Sequence, residues 1–205
     1  MKIRSLLVLP VLALGCLGLT GCDSKVGTAA VVGNQRISES DVSRYLGPTQ
    51  TDAGTSRALS LEWQIREKLF LAAFAKAGGT PTDRELAALH DTAVSSVIGQ
   101  QASGSAGDQT LQGLVSSSGL KPTFAATVIR AFELEIAYAK KINATQEAAV
   151  LADLVKQKIG VSVNPRFGSW NTATFAFASL GKKQLPGPLT LNATLPADVK
   201  APAGQ

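Results

Sequence analysis

The longest helical pattern in the sequence runs from Ser56 to Ala77, a stretch that contains neither glycine nor proline. At 100° per residue its large apolar side chains fall into two stripes with polar residues between them. A helix that is apolar on two sides is usually buried between neighbours. The segment therefore predicts the central helix of a mainly α-helical domain. The first stripe comprises Leu61, Ile65, Leu69 and Ala72, and the second comprises Leu59, Trp63, Phe70 and Phe74.

Shorter elements surround this helix. Ser38 with Asp41, and Thr82 with Glu85, have the spacing of a capping box, which predicts that helices begin there. A Gly-Asn pair between short β-branched runs predicts a tight β-hairpin. Glycine, proline and helical spacing delimit the remaining elements. We expect helices over 39–46, 83–98, 109–117, 121–142 and 145–159, a mobile loop over 100–108, strands over 28–32, 35–37 and 161–163, and a further strand candidate over 173–178.

The N-terminus has the pattern of an export signal. Lys2 and Arg4 precede an apolar run that is too short and too rich in glycine for a permanent membrane span. The run ends in Leu19-Thr20-Gly21-Cys22, which resembles the bacterial lipobox, whose cysteine thiol is acylated. We therefore expect Cys22 to carry a lipid anchor on the extracytoplasmic face of the cell membrane.

We expect the chain to consist of four parts, the first of which is removed by cleavage before Cys22. Residues 1–21 are expected to be the lipoprotein signal peptide and residues 22–27 a tether. The helical domain is expected over 28–180, and a flexible tail containing proline and glycine over 181–205. Cys16 would be lost with the signal and Cys22 would be acylated, so we expect neither a disulfide nor a free thiol.

Few side chains suit catalysis or metal binding. His90 is the only histidine, so a two-histidine zinc site or a relay through a second imidazole cannot be built from this chain alone. Its helical position faces away from the apolar surface, and we expect it to be solvated. No phosphate-binding glycine loop is visible. We therefore expect a protein without enzymatic activity, cofactor or metal.

The net charge does not favour nucleic acid as a partner. The sequence carries +5, and loss of Lys2 and Arg4 with the signal leaves 18 basic and 15 acidic side chains, a net of +3. The basic residues are scattered, whereas a nucleic-acid-binding protein concentrates them on one surface.

Two motifs resemble a known family. The stretch Ala29-Ala30-Val31-Val32-Gly33-Asn34-Gln35-Arg36-Ile37, followed by Asp41, resembles the opening strand, turn and helix of SurA-type periplasmic chaperones and related parvulin foldases. The stretch Gly78-Gly79-Thr80-Pro81-Thr82-Asp83-Arg84-Glu85-Leu86 resembles a turn of the same N-terminal domain. The resemblance runs from about Ala29 to Leu86 and continues loosely to Gly160. It implies a SurA N-terminal-like helical domain.

The C-terminal part departs from that family. SurA-type isomerases carry a parvulin domain with several histidines, but the chain after Gly160 contains none, so the resemblance implies a protein without an isomerase domain. The stretch Val163-Asn164-Pro165-Arg166-Phe167-Gly168-Ser169-Trp170 is similar to a signature of lipoproteins with this domain from high-GC Gram-positive bacteria. That resemblance implies that a strand over 161–163 returns to pair with the strand over 30–32.

The resemblance implies a chaperone-like protein that binds unfolded or secreted polypeptides without catalysis. In this interpretation Trp63, Phe70 and Phe74 line an apolar groove for extended client segments. The alternative for these rings is burial in the core. The rival function is a structural or interaction lipoprotein that docks one defined envelope partner. The sequence leaves the client and the oligomeric state open.

Glu135 is the most unusual polar residue, because it lies in the middle of the apolar face of the 121–142 helix. A carboxylate in that position must be paired, neutral or at the edge of a cavity. We expect it to pair with Arg166, Arg36 or Arg44. A catalytic acid is disfavoured, since no second carboxylate or nucleophile is placed to act with it.

Overall fold

The computed structural model describes residues 26–48, 53–99 and 104–177. Within these ranges the protein is mainly α-helical with a small antiparallel sheet, which confirms the expected fold class. The expected signal peptide, the predicted lipidation site Cys22 and the expected tail over 181–205 lie outside the described residues. The strands are β1 (Thr28–Val32), β2 (Gln35–Ser38), β3 (Val161–Val163), β4 (Trp170–Asn171) and β5 (Ala176–Phe177); the helices are α1 (Glu39–Ser43), α2 (Ala53–Lys76), α3 (Asp83–Ala87), α4 (His90–Ile98), α5 (Gly104–Ser117), α6 (Ala125–Lys141) and α7 (Glu147–Lys156).

Strand β1 is the centre of a three-stranded sheet, with β2 on one side and β3 on the other. The turn into β2 uses Gly33 at φ 58°, a conformation that glycine adopts without steric cost. Strand β3 pairs with β1 so that Ala30 faces Val163 and Val32 faces Val161. The expected return of the 161–163 strand to the first strand is therefore confirmed, and it ties the two ends of the helical body together.

Helices α2 and α6 run in the same direction through the core. Trp63 packs on Phe132 with ring centroids 5.1 Å apart, and further along both helices Phe74 meets Tyr138 edge-on at 5.3 Å. Helix α7 follows the same direction, since Lys76 at the end of α2 donates to the carbonyl of Gln157 just after α7. Nearly every side chain of α2 between Ala58 and Arg66 is buried, as a two-sided apolar helix requires.

The local predictions succeed where a cap determines the structure. Both capping boxes form: the hydroxyl of Ser38 accepts from the Asp41 amide, and that of Thr82 accepts from the Glu85 amide. The predicted 83–98 helix is divided at Ala88–Leu89 into α3 and α4. Each cap acts on its first turn alone, so it does not set where the helix ends.

Helices α1 and α7 are shorter than predicted and α2 begins three residues earlier, and two further predicted segments differ from the structure. Helix α5 begins at Gly104, so the loop predicted over 100–108 is too long, and its first residues lie outside the described ranges. The glycines of this segment disfavour a helix in isolation, but Leu111 and Val115 are fully buried, so packing overrides propensity. The strand candidate over 173–178 shortens to Ala176–Phe177, which pairs with β4.

Candidate functional site

The predicted aromatic stripe lies in the core. Trp63, Phe70 and Phe74 are 2%, 3% and 3% exposed. The prediction that they line an open groove is wrong for this structure, and the alternative of burial is correct. The physical reason is that α6 runs along the stripe and covers it with Phe132 and Tyr138.

A groove does exist beside this stripe, and the chain itself fills it. Strands β4 and β5 form a hairpin, residues 170–177, which we call the C-terminal hairpin. Its Phe175 and Phe177 are 5% and 1% exposed. Phe175 lies over α2, α6 and α7, and a crevice of about 10 Å³ remains beneath it, enough for about one water molecule. Arg66, Leu69, Phe70, Glu135, Leu151, Leu154 and Phe175 line this crevice.

The hairpin meets the helical body through one backbone contact as well as its rings. The amide of Phe177 donates to Oε2 of Glu62 at 3.0 Å. The indole of Trp170 packs edge-on against the Phe177 ring, with centroids 5.3 Å apart. The carboxylate of Glu62 is therefore occupied by main chain from a segment more than a hundred residues away.

Arg66 is the centre of the buried polar group under this hairpin. Its Nε lies 4.0 Å from Oε1 of Glu62 and its Nη1 lies 4.0 Å from Oε2 of Glu135. The guanidinium carbon lies 5.0 Å from the centroid of the Trp63 ring. We call Glu62, Arg66, Glu135 and Glu147 the Arg66 cluster. Three carboxylates share one cation in it, so it holds an excess of negative charge.

Raised pKa values of the carboxyl groups reduce this excess of negative charge. Burial raises the pKa of Glu135 to about 7, although Arg66 lowers it, and the charge of Glu147 raises it further. Burial also raises the pKa of Glu62 and of Glu147, again against the attraction of Arg66. Near neutral pH the cluster therefore holds a proton that a solvated glutamate would have released.

The partner of Glu135 is thus Arg66, and the prediction of Arg166, Arg36 or Arg44 is wrong. Those three arginines lie elsewhere: Arg166 pairs with Glu39, Arg36 donates to the carbonyl of Val26, and Arg44 lies 3.8 Å from Asp41. The face of α6 that carries Glu135 is turned towards α2, and only a residue of α2 or its neighbours can reach it.

His90 lies at a second polar site on the other side of α6. An open cleft of about 440 Å³ is lined by Asp83, Ala87, His90, Asp91, Arg130 and Glu133. His90 Nε2 lies 3.0 Å from Oδ1 of Asp108, and His90 Nδ1 lies 3.3 Å from Oε1 of Glu133. The prediction of a solvated histidine holds in part: the side chain is 36% exposed, but the imidazole also bridges α5 and α6.

The surroundings raise the pKa values of both His90 and Glu133, for different reasons. Burial lowers the pKa of His90, but its hydrogen bonds to Asp108 and Glu133 outweigh burial and raise it. The pKa of Glu133 is raised as well, because its burial outweighs the attraction of His90. Two carboxylates act together on the imidazole, which favours its charged form.

Both ring nitrogens of His90 face a carboxylate oxygen, Asp108 for Nε2 and Glu133 for Nδ1. Among the residues described, no three His, Cys, Asp or Glu side chains are grouped so that they could hold a metal ion. Within the same ranges no helix has the length and apolar character needed to cross a membrane.

Sequence reasoning missed Arg66, Phe175 and Phe177 as members of a site. The spacing of Glu62 and Arg66 by four residues was a usable signal, since such pairs face each other on a helix. The two phenylalanines carried no comparable signal, because a short hairpin gives little periodicity.

Comparison of the chain with protein-family models, with curated proteins and with solved structures gives no match in any of the three. The likeness to SurA-type chaperones therefore depends on the sequence motifs alone.

Proposed function

We propose that the protein is a non-catalytic, chaperone-like lipoprotein that binds unfolded or secreted polypeptides. The observation that carries this proposal is the groove between α2, α6 and α7, which holds the Phe175 ring of the C-terminal hairpin. Next to Arg66 of this groove, the buried carboxylate of Glu62 accepts a backbone amide. Apolar contacts combined with a main-chain contact are what binding without sequence readout requires.

The groove differs from the one expected from the sequence. Phe70 is the single member of the predicted client-binding trio that reaches its lining, whereas Trp63 and Phe74 stand behind it in the core. Trp63 supports the site through its ring contact with Arg66. We therefore assign client contact to Phe70, Leu151 and Leu154, and a supporting role to Trp63.

The proposal is tested by suppression of aggregation. The purified domain should keep several unrelated unfolded proteins soluble at near-stoichiometric amounts. Leu151→Lys places a charge on the wall of the groove and should weaken suppression several-fold. Val155→Lys is the matched control, since Val155 lies one turn further along α7 and is 52% exposed. Both variants must retain the helical circular dichroism of the wild type. Equal suppression by both would contradict the proposal.

The second candidate is a lipoprotein that docks one defined envelope partner. It is favoured by the polar outer surface: among the residues described, Val26 and Val155 are the large hydrophobic side chains that stand exposed. Such a surface suits a selective partner better than a range of clients. A pull-down that returns one stoichiometric protein, together with no suppression of aggregation, would favour this candidate.

The membrane attachment is tested separately. With acylated Cys22 the protein should partition into the detergent phase, and its intact mass should include the acyl chains. Cys22→Ser should move it to the aqueous phase without changing its unfolding temperature. Detergent partitioning that survives this substitution would remove Cys22 as the anchor.

A further inference from the structure

The C-terminal hairpin makes fewer main-chain hydrogen bonds to the helical body and its sheet than β3, the strand that precedes it. Strand β3 pairs with β1 over three residues, and the pairing continues where the amide of Asn164 donates to the carbonyl of Ala29. Each hairpin strand has two residues, and they pair with each other rather than with the sheet. Among the described residues, the polar contact between hairpin and helices is the Phe177 amide on Glu62.

The docked hairpin also contains features that cost free energy. Phe175 has φ 49°, in the left-handed region that residues with a side chain rarely adopt. Among the residues described, the indole nitrogen of Trp170 is buried without a hydrogen-bond partner, and such a donor regains a partner in water when it is exposed. The burial of Phe175 and Phe177 must outweigh both costs.

The surface under the hairpin would be ready for another chain. Release of Phe175 uncovers Leu69, Phe70, Leu151 and Leu154. Release of Phe177 frees the Glu62 carboxylate to accept a different backbone amide. The sheet and the α2–α6 pair are complete without the hairpin, since the last sheet strand ends at Val163.

We propose that the C-terminal hairpin is an intramolecular latch, which occupies the polypeptide-binding groove and must leave before a client enters. This inference rests on the proposed chaperone-like function and specifies how its site is regulated. The closed state lowers the apparent affinity for clients by the fraction of molecules whose hairpin is released. Weakening the latch therefore tightens client binding.

The chain supplies its own reporter. Trp63 and Trp170 are the two tryptophans of the protein, so Trp63→Phe, which keeps an aromatic ring against Arg66, leaves Trp170 in the hairpin as the sole tryptophan. The probe is reduced, carboxymethylated ribonuclease A, a permanently unfolded polypeptide that contains no tryptophan, and its binding is measured by anisotropy of a dye attached to it. Client binding should shift Trp170 emission to the red as the indole enters water.

Two variants in the hairpin complete the test. Phe175→Ala removes the ring that plugs the groove and should lower the apparent Kd for the probe about tenfold, if the released fraction rises by that factor. Thr174→Ala is the matched control, because Thr174 is the preceding residue and its side chain is exposed. It should leave the Kd unchanged. Hydrogen exchange at the Phe177 amide of the wild type, which should accelerate on probe binding, gives the same answer without any substitution.

The outcomes separate the two proposals. If the probe binds while Trp170 emission and Phe177 exchange stay unchanged and Phe175→Ala keeps the wild-type Kd, the latch is overturned and the chaperone-like function stands. If the probe binds neither the wild type nor Phe175→Ala while both remain folded, the proposed function fails. Tighter binding by Phe175→Ala together with the red shift supports both.

Discussion

Two carboxylates on α6, Glu133 and Glu135, lie two residues apart and belong to very different polar clusters. Glu135 lies 4.0 Å from Arg66, with both side chains almost completely buried. Glu133 lies 3.3 Å from His90, whose side chain is 36% exposed. In each cluster a basic side chain lies between carboxylates from different helices, but one cluster lies beneath the C-terminal hairpin and the other borders an open cleft.

The difference indicates that burial, rather than distance, decides how much the loss of one partner changes the free energy of unfolding. The His90 distances are shorter, yet water screens the pair and can replace either partner. The distances in the Arg66 cluster are longer, but a charge left there without its partner is buried and poorly solvated. Within the described part of the chain, Arg66 Nε is itself buried without a hydrogen-bond partner. We therefore expect large effects of substitution in the Arg66 cluster and small ones at His90.

The largest effect is expected from Arg66→Met. The substitution leaves Glu62 and Glu135 buried without their cation and should lower the free energy of unfolding by about 3–5 kcal/mol. Urea denaturation measures it. Arg57→Met is the matched control, since Arg57 lies on the same helix with an exposed side chain, and it should change stability by less than about 0.5 kcal/mol. A similar decrease in the free energy of unfolding in both variants would contradict the view that burial makes the Arg66 cluster sensitive to substitution.

Glu135→Gln should change the pH dependence of stability. The folded-state pKa of Glu135 is raised from 4.5 to about 7, so its protonated form contributes stability that is complete below pH 4.5 and is lost as pH rises through about 7. Glutamine does not titrate. The variant should match the wild type near pH 5 and exceed it by about 3 kcal/mol near pH 8.5, an order-of-magnitude value. Unfolding curves of the two proteins that stay parallel with pH would contradict a raised pKa.

The comparison also shows which parts were accessible to sequence reasoning. The capping boxes at Ser38 and Thr82 and the central helix were predictable, because each depends on residues close together in the chain. The return of Val161–Val163 to β1 followed from a family resemblance rather than from any local pattern. The need for a partner at Glu135 could be stated from its position on an apolar face.

The identity of each partner could not be predicted. Arg66 becomes the partner of Glu135 through the packing of α2 along α6, which sets which faces meet, and periodicity gives a face without giving its neighbour. His90 was expected to be solvated because it lies on the face of its helix that is turned away from the apolar surface, and Asp108 was expected in a loop. The structure places Asp108 inside α5, and packing of Leu111 and Val115 brings it to the imidazole. Both errors concern contacts between helices.

His90→Gln tests the weaker side of the comparison. The pKa of His90 is raised above 6.5 in the folded state, so its charged form contributes stability that is complete below pH 6.5 and is lost as pH rises through the raised pKa. The variant should be less stable than the wild type by up to about 1 kcal/mol near pH 5.5, in the range of partly exposed pairs. The deficit should shrink near pH 9. Thermal unfolding at both pH values checks this, and a larger deficit at pH 9 would reverse the assignment.

The smallest expected effect separates the two clusters by salt. Raising NaCl from about 0.1 to 1 M shortens the screening length from about 10 to about 3 Å. At pH 5.5 the deficit of His90→Gln should then fall to about half or less, because solvent and ions reach the cleft beside its imidazole. The deficit of Arg66→Met should change by less than about 0.5 kcal/mol between the two salt concentrations, since ions do not enter a crevice with room for about one water. Denaturation of the wild type and both variants at the two salt concentrations gives the numbers. Equal sensitivity of the two deficits would show that water reaches Arg66, and that the hairpin above it opens readily in the absence of a client.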